Sequence, residues 1–177
     1  MLRKVVLLGD PVLRKKTSPV TAFDGTLEAL AADMIETMDA SNGVGLAAPQ
    51  IGYSLSLFVL RNYIEVSEGK FELSEPMVYV NPKILVRADE VILDEEGCLS
   101  LPGIRVEVYR PTWIEIEAQD IKGNFFKAHI EGFNARVRLH EFDHLQGVMI
   151  IDYLSKKDKK RFKDKIEAIE KKGRESC

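Results

Sequence analysis

The sequence predicts an α+β protein: mostly antiparallel sheets packed around a central helix, with one helix before them and a basic helix at the C-terminal end. Three observations carry that expectation. Strand-like runs dominate the middle of the chain, and in one of them Ile114, Ile116 and Ala118 alternate with Glu115 and Glu117, the two-residue period of a half-buried strand. Around 132–146 the period changes, and Phe133, Val137, His140 and His144 fall on one helical stripe. The chain has 177 residues, 45% of them hydrophobic and 30% charged, which suits one core and excludes disordered and fibrous classes.

A first helix is expected over about 26–41, where Leu27, Leu30, Ala31, Met34, Ile35 and Met38 recur at steps of three and four. Strands are expected at about 56–61, 77–81, 104–109, 112–118 and 124–130, and the helix at 132–146 should end at Gly147, the residue best able to adopt a left-handed conformation. A short strand at 148–151 follows. Ser155-Lys156-Lys157-Asp158 has the spacing of a capping box and opens a terminal helix whose apolar stripe is thin: Phe162, Ile166 and Ile169. The expected division is a catalytic unit at 1–154 with a helical extension at 155–177. No apolar run approaches the roughly 20 residues that span a bilayer, and the four-residue run Val5–Leu8 is too short for a signal peptide, so the chain reads as cytoplasmic.

Charge is unevenly distributed. Residues 1–154 carry 15 basic and 23 acidic side chains, whereas 155–177 carry 10 and 5, a basic patch on an acidic body. Two cysteines, Cys98 and Cys177, do not make a disulfide framework.

His140-Glu141-Phe142-Asp143-His144 is an HExxH sequence. On a helix, histidines four residues apart present their imidazoles to one metal ion, and the glutamate one residue on can act as general base toward a water at that ion. The alternative is a helix with two hydrogen-bonded core histidines. His129, alone in a strand, reads as structural. A site with an open position needs a third ligand, and with three histidines in the chain the best candidate is Cys98 in Glu95-Glu96-Gly97-Cys98-Leu99-Ser100, whose bland reading is a small buried hydrophobe. In the segment Gly43–Gly52 no Lys-Ser/Thr pair marks a phosphate loop. Either it is an apolar turn, or its glycines bring the backbone close to an extended ligand while Gln50 offers an amide donor to an oxyanion. Thiolate and imidazole suit Zn(II), Fe(II), Co(II) or Ni(II).

In this order, GVGLAAPQ at 43–50, EGCLS at 96–100 and HEFDH at 140–144 closely resemble the peptide deformylase family, and the likeness runs from Asp10-Pro11-Val12-Leu13-Arg14 to Ile151-Asp152-Tyr153-Leu154. The resemblance implies a metallohydrolase that removes the formyl group from the formyl-methionine of nascent polypeptides. It implies one divalent ion on Cys98, His140 and His144, usually Fe(II) in cells, with water or hydroxide attacking the formyl carbon. The Gln50 amide and the Leu99 N–H would meet the oxyanion, and Glu141 would carry the proton to the amine. Backbone at Val44 and Gly45 would hold the peptide as an added strand, with Val44, Phe133 and Val137 around the methionine side chain. Arg105 and Arg110 match family positions, although charge balance with Glu95 and Glu96 is the preferred reading of Arg110. The expected partners are formyl-methionyl peptides and, through the basic helix, the ribosome, with neither DNA nor a membrane among them. One departure is Leu139, where the family commonly has Gln; it bears on packing beside the motif. An HExxH endopeptidase and a metal-stabilised ribosome-binding module are the rival functions.

Overall fold

The computed structural model describes residues 1–176; Cys177, and with it the expectation that no bridge joins it to Cys98, lies outside the described residues. Near the start, a 3-10 turn at Pro11–Arg14 is capped by the Asp10 carboxylate, which accepts from Val12 N–H. The first helix, α1, spans Gly25–Ala40, and Asp24 caps it by accepting from the N–H groups of Thr26 and Leu27. Its buried face is the expected stripe, Leu27, Leu30, Ala31, Met34 and Met38, joined by Thr37, while Ile35 is only partly buried.

Strands follow at Gly45–Ala47 (β1), Leu57–Leu60 (β2), Tyr63–Ser67 (β3), Lys70–Leu73 (β4), Met77–Arg87 (β5), Val91–Cys98 (β6), Leu101–Pro111 (β7), Trp113–Gln119 (β8) and Phe125–Glu131 (β9). Five of them form an antiparallel sheet in the order β1-β2-β5-β8-β9, and β3–β4 and β6–β7 are separate two-stranded hairpins. α2, Gly132–Leu145, packs on the sheet through Ala135, Val137, Leu139 and Leu145, which meet Phe58, Leu60, Tyr79, Ile114 and Ile116. α1 covers other residues of the same strands, Leu46, Leu57, Val59 and Val80. β2 is therefore buried on both faces and reads as a continuous apolar run, whereas β8, with its glutamates outward, alternates. Leu139, the departure seen beside the HExxH sequence, is a core residue of this α2 cluster.

A third cluster joins β7 (Leu101, Ile104, Val106, Val108) to Leu8, Leu13 and the segment Met149–Leu154. This segment corrects the expected strand at 148–151: Ile150–Tyr153 is a 3-10 turn, held by the Asp152 carboxylate accepting from Met149 N–H at 2.9 Å and pairing with Arg14 at 2.7 Å. A wholly apolar run has no periodicity to separate strand from turn, and here burial alone is satisfied. Gly147 does adopt a left-handed conformation (φ 74°), and an added Cβ would lie 2.6 Å from the Arg14 carbonyl oxygen. α3, Lys156–Glu175, starts at Ser155, whose hydroxyl accepts from Asp158 N–H at 3.1 Å, and it returns to the body through Ile169, with Phe162 and Ile166 packed alongside. No helix of the described residues is long and apolar enough to cross a membrane.

Candidate metal centre and active site

α2 runs under a cavity of about 560 Å³ between β1 and the end of β6. The helical spacing predicted for His140 and His144 is realised, and their Nε2 atoms are 3.3 Å apart. Cys98, at the end of β6 where the β6–β7 register shifts, brings its Sγ to 3.4 Å from His144 Nε2. All three donors lie within 4.8 Å of one another. An ion bound about 2.0–2.1 Å from imidazole nitrogen and 2.3 Å from thiolate in a tetrahedron separates its ligand atoms by about 3.3–3.6 Å. These residues therefore fit a single small ion.

The donors are held by charge. Glu96 Oε2 lies 2.9 Å from His140 Nδ1, so this nitrogen donates and the Nε2 lone pair is left facing Cys98 and His144. Glu96 in turn accepts from Arg110 at 2.8 and 3.0 Å and from Arg136 at 3.0 Å, and all three side chains are buried. Burial alone would raise the Glu96 pKa, but the hydrogen bonds from His140 and Arg110 outweigh it and hold the group down at about 2. Burial also pulls His140 down, yet its contacts with Cys98 and Glu96 win and keep its pKa well above the usual value in the metal-free protein. For His144, burial and then the neighbouring His140 charge lower the pKa well below the usual value. Arg110 thus balances Glu96, as its sequence reading preferred, and also reaches Asp143 at 2.7 Å.

Glu141 points the other way, toward β1. Its Oε1 would be 2.4 Å from a Cβ at position 45, so any residue but glycine would displace the carboxylate. Its Oε2 is buried with no hydrogen-bond partner, and burial pushes its pKa up to about 7. Gln50 Oε1 accepts from Ala47 N–H at 2.9 Å, which turns Nε2 outward, 3.5 Å from Cys98 Sγ and 3.4 Å from Ser100 Oγ. Val44, Gly45, Leu99, Arg105, Phe133 and Val137 line the same cavity. Val137 is buried and Phe133 is 47% exposed at the rim, so the stripe expected to face the core emerges from it at its first residue. Arg105 is an exposed side chain paired with Glu95 at 3.2 Å. His129 lies outside this cluster, exposed on β9 against Glu131 and the Trp113 ring.

The sequence model of the family described as polypeptide deformylase matches residues 2–160. The chain belongs to this family. The Thermotoga neapolitana peptide deformylase is 46% identical over 149 residues, 84% of this chain and 85% of that one. Solved deformylases superpose on the fold: that of Thermus thermophilus with a TM-score of 0.85 at 39% identity, covering 98% of this chain and 100% of that one, and that of Thermotoga maritima with 0.79 at 44%, covering 88% and 99%. A deformylase of Arabidopsis thaliana in complex with an inhibitor gives 0.86 at 36% identity, over 98% of this chain and 93% of that one. Deformylases are metal-dependent hydrolases that remove the N-formyl group from nascent peptides. Sequence reasoning missed Arg136, buried in α2 and donating to the carbonyls of Ile92 and Val108 as well as to Glu96. Its signal was there: Arg136 and Arg138 interrupt the apolar residues of a helix that has to be buried.

Proposed function

We propose that this chain deformylates formyl-methionyl peptides, with Cys98, His140 and His144 as ligands to one divalent ion, Fe(II) in the cell and replaceable by Zn(II), Ni(II) or Co(II). The observation that carries it is the buried Glu141 carboxylate, its Oε2 without a hydrogen-bond partner, beside three donors spaced for a tetrahedral ion. An ion held there supplies Lewis acidity and brings the pKa of water toward neutrality. Glu141, a buried carboxylate beside the three donors, takes the proton released as water attacks the formyl carbon and returns it to the departing methionine amine. Gln50 Nε2 and the Leu99 N–H are the donors to the oxyanion, fixed in advance by the Ala47 hydrogen bond and by the β6–β7 turn. β1 is the edge strand of its sheet, which leaves it able to receive an extended peptide, and Val44, Phe133 and Val137 surround the methionine side chain. Arg105, at the open end of the cavity, meets the peptide beyond it. Metal-loaded protein incubated with formyl-Met-Ala-Ser should release formate and leave an N-acetylated control intact; cleavage of an internal peptide bond instead would favour the endopeptidase reading.

The second proposal is that residues 1–154 form the catalytic unit and that α3 docks this cytoplasmic enzyme on the ribosome. Ile169 faces the body while the lysines of α3 are exposed, which leaves its charge available to phosphates. Co-sedimentation with ribosomes should weaken steeply as salt rises and be reduced by truncation after Leu154. Equal, salt-independent binding by both forms would remove the proposal.

A further inference from the structure

A second apolar surface adjoins the cavity. In the β3–β4 register Tyr63 pairs with Leu73 and Glu65 with Phe71, so these four side chains share one face. Phe71 is 58% exposed and Leu73 49%. Glu65, the acid among them, turns its carboxylate to Gly69 N–H at 3.1 Å, leaving the rest of the face apolar. The surface is continuous with the cleft, because the Tyr63 ring meets Phe133 edge-on at 5.2 Å and Phe133 lines the cavity. It is also fixed in place: Asn134 accepts from Tyr63 N–H and donates to Tyr63 C=O, both at 2.9 Å, so the helix that carries His140 and Glu141 also positions the hairpin.

We propose that this face extends the peptide cleft and takes apolar side chains at about the fourth to sixth residues of a formylated substrate, an inference that rests on the deformylase reading. The direction of β1 selects this occupant. Glu141 lies against Gly45, which puts the reacting end there. The Val44 carbonyl accepts from Arg61 N–H at 2.9 Å, which ties the start of β1 to the residues leading into β3. A peptide laid beside the backbone from Gly45, the first residue of β1, back toward Gly43 therefore leaves the cleft toward Tyr63. At about 3.4 Å per residue, the Glu65/Phe71 pair is some two extended residues beyond Tyr63/Leu73. A tripeptide ends before the hairpin, and a hexapeptide reaches it.

The test compares kcat/KM of the metal-loaded full chain for formyl-Met-Ala-Ser, formyl-Met-Ala-Ser-Leu-Phe-Leu and formyl-Met-Ala-Ser-Ser-Gly-Ser. In the unmodified enzyme the apolar hexapeptide should exceed the polar one by about fivefold, through KM, as expected for partial burial of one leucine-sized side chain. In Phe71→Ser/Leu73→Ser, and more weakly in Leu73→Thr, the ratio should fall toward one while the tripeptide is unaffected. Equal hexapeptides in the unmodified enzyme, or an unchanged ratio in both variants, would overturn the extension alone. Failure to turn over even the tripeptide would overturn the deformylase reading and the extension with it. A dimer in sedimentation equilibrium that the double substitution dissolves would assign the face to a second copy of the chain and overturn the peptide assignment.

Discussion

The two hairpins of this fold share a secondary structure and differ in almost everything else. β6–β7 is long, and its core side buries Leu101, Ile104, Val106 and Val108; it places Glu96 among Arg110, Arg136 and His140. β3–β4 has no buried residue and is joined to α2 by one asparagine and one ring contact. An isolated two-stranded hairpin is marginal in water, so the backbone ladder is not what holds Cys98 within bonding range of an ion. Packing on one face and a compensated buried charge do that. The same ladder without them is left exposed on both faces, and one of these faces is the surface proposed above to take the far end of a peptide.

The largest expected effect tests the chemistry at the rigid end. Glu141→Gln should retain metal, because the carboxylate is not among the clustered donors, and should lower turnover by about 10²–10⁴-fold; metal analysis beside the formate assay decides it. The metal-free protein offers a second reading of the same residue. With its pKa raised to about 7, folded Glu141 holds a proton that the unfolded chain loses near 4.5, so its contribution to stability falls as pH rises between those values. Urea unfolding at pH 8 should find metal-free Glu141→Gln more stable than the parent by at most about 3 kcal/mol, with the gap closing at pH 5. A gap that persists at low pH would mean that the amide stabilises by packing.

Next in size is the charge that orients His140. Glu96→Ala leaves Arg110 and Arg136 buried without their carboxylate, and breaking such a group costs about 3–5 kcal/mol. Losing the partner of His140 Nδ1 should also weaken metal binding by about 10–100-fold. Glu72→Ala on β4, an exposed position, should stay within about 0.5 kcal/mol. Denaturant midpoints and metal titration of the pair measure the contrast between hairpins directly, and similar losses in both would erase it.

How much of this was legible in the sequence follows from the range of each interaction. His140 and His144 are four residues apart on one helix, so their meeting is dictated locally, and α1 and β8 announce themselves by period. The network around Glu96 joins residues 14, 40 and 44 positions away, and no local pattern records such pairs. Neither were β3 and β4 legible, since strands exposed on both faces carry no burial alternation, nor β6, whose Val91, Ile92 and Leu93 are all exposed. Apolar runs misled in the opposite direction at Ile150–Tyr153, where burial was read correctly and conformation was not.

The smallest expected effect is the most selective. Asn134→Ala removes two hydrogen bonds to the backbone of Tyr63, a residue exposed enough for water to replace them, so the net loss should be about 1 kcal/mol. That loss should be confined to one hairpin. Amide exchange at Tyr63 and along Lys70–Leu73 should quicken, because the hydrogen-bonded anchor to α2 is gone and the Tyr63–Phe133 ring contact is left to join the hairpin to that helix. Exchange along β6 and β7 should not change, since Arg136 and the cluster around Leu101 hold that hairpin independently. Formyl-Met-Ala-Ser should be turned over as before. If protection fell in both hairpins together, α2 would be transmitting the loss from Asn134 to the Glu96 network through Arg136, two residues on, and the separation between an exposed surface and a rigid centre would fail.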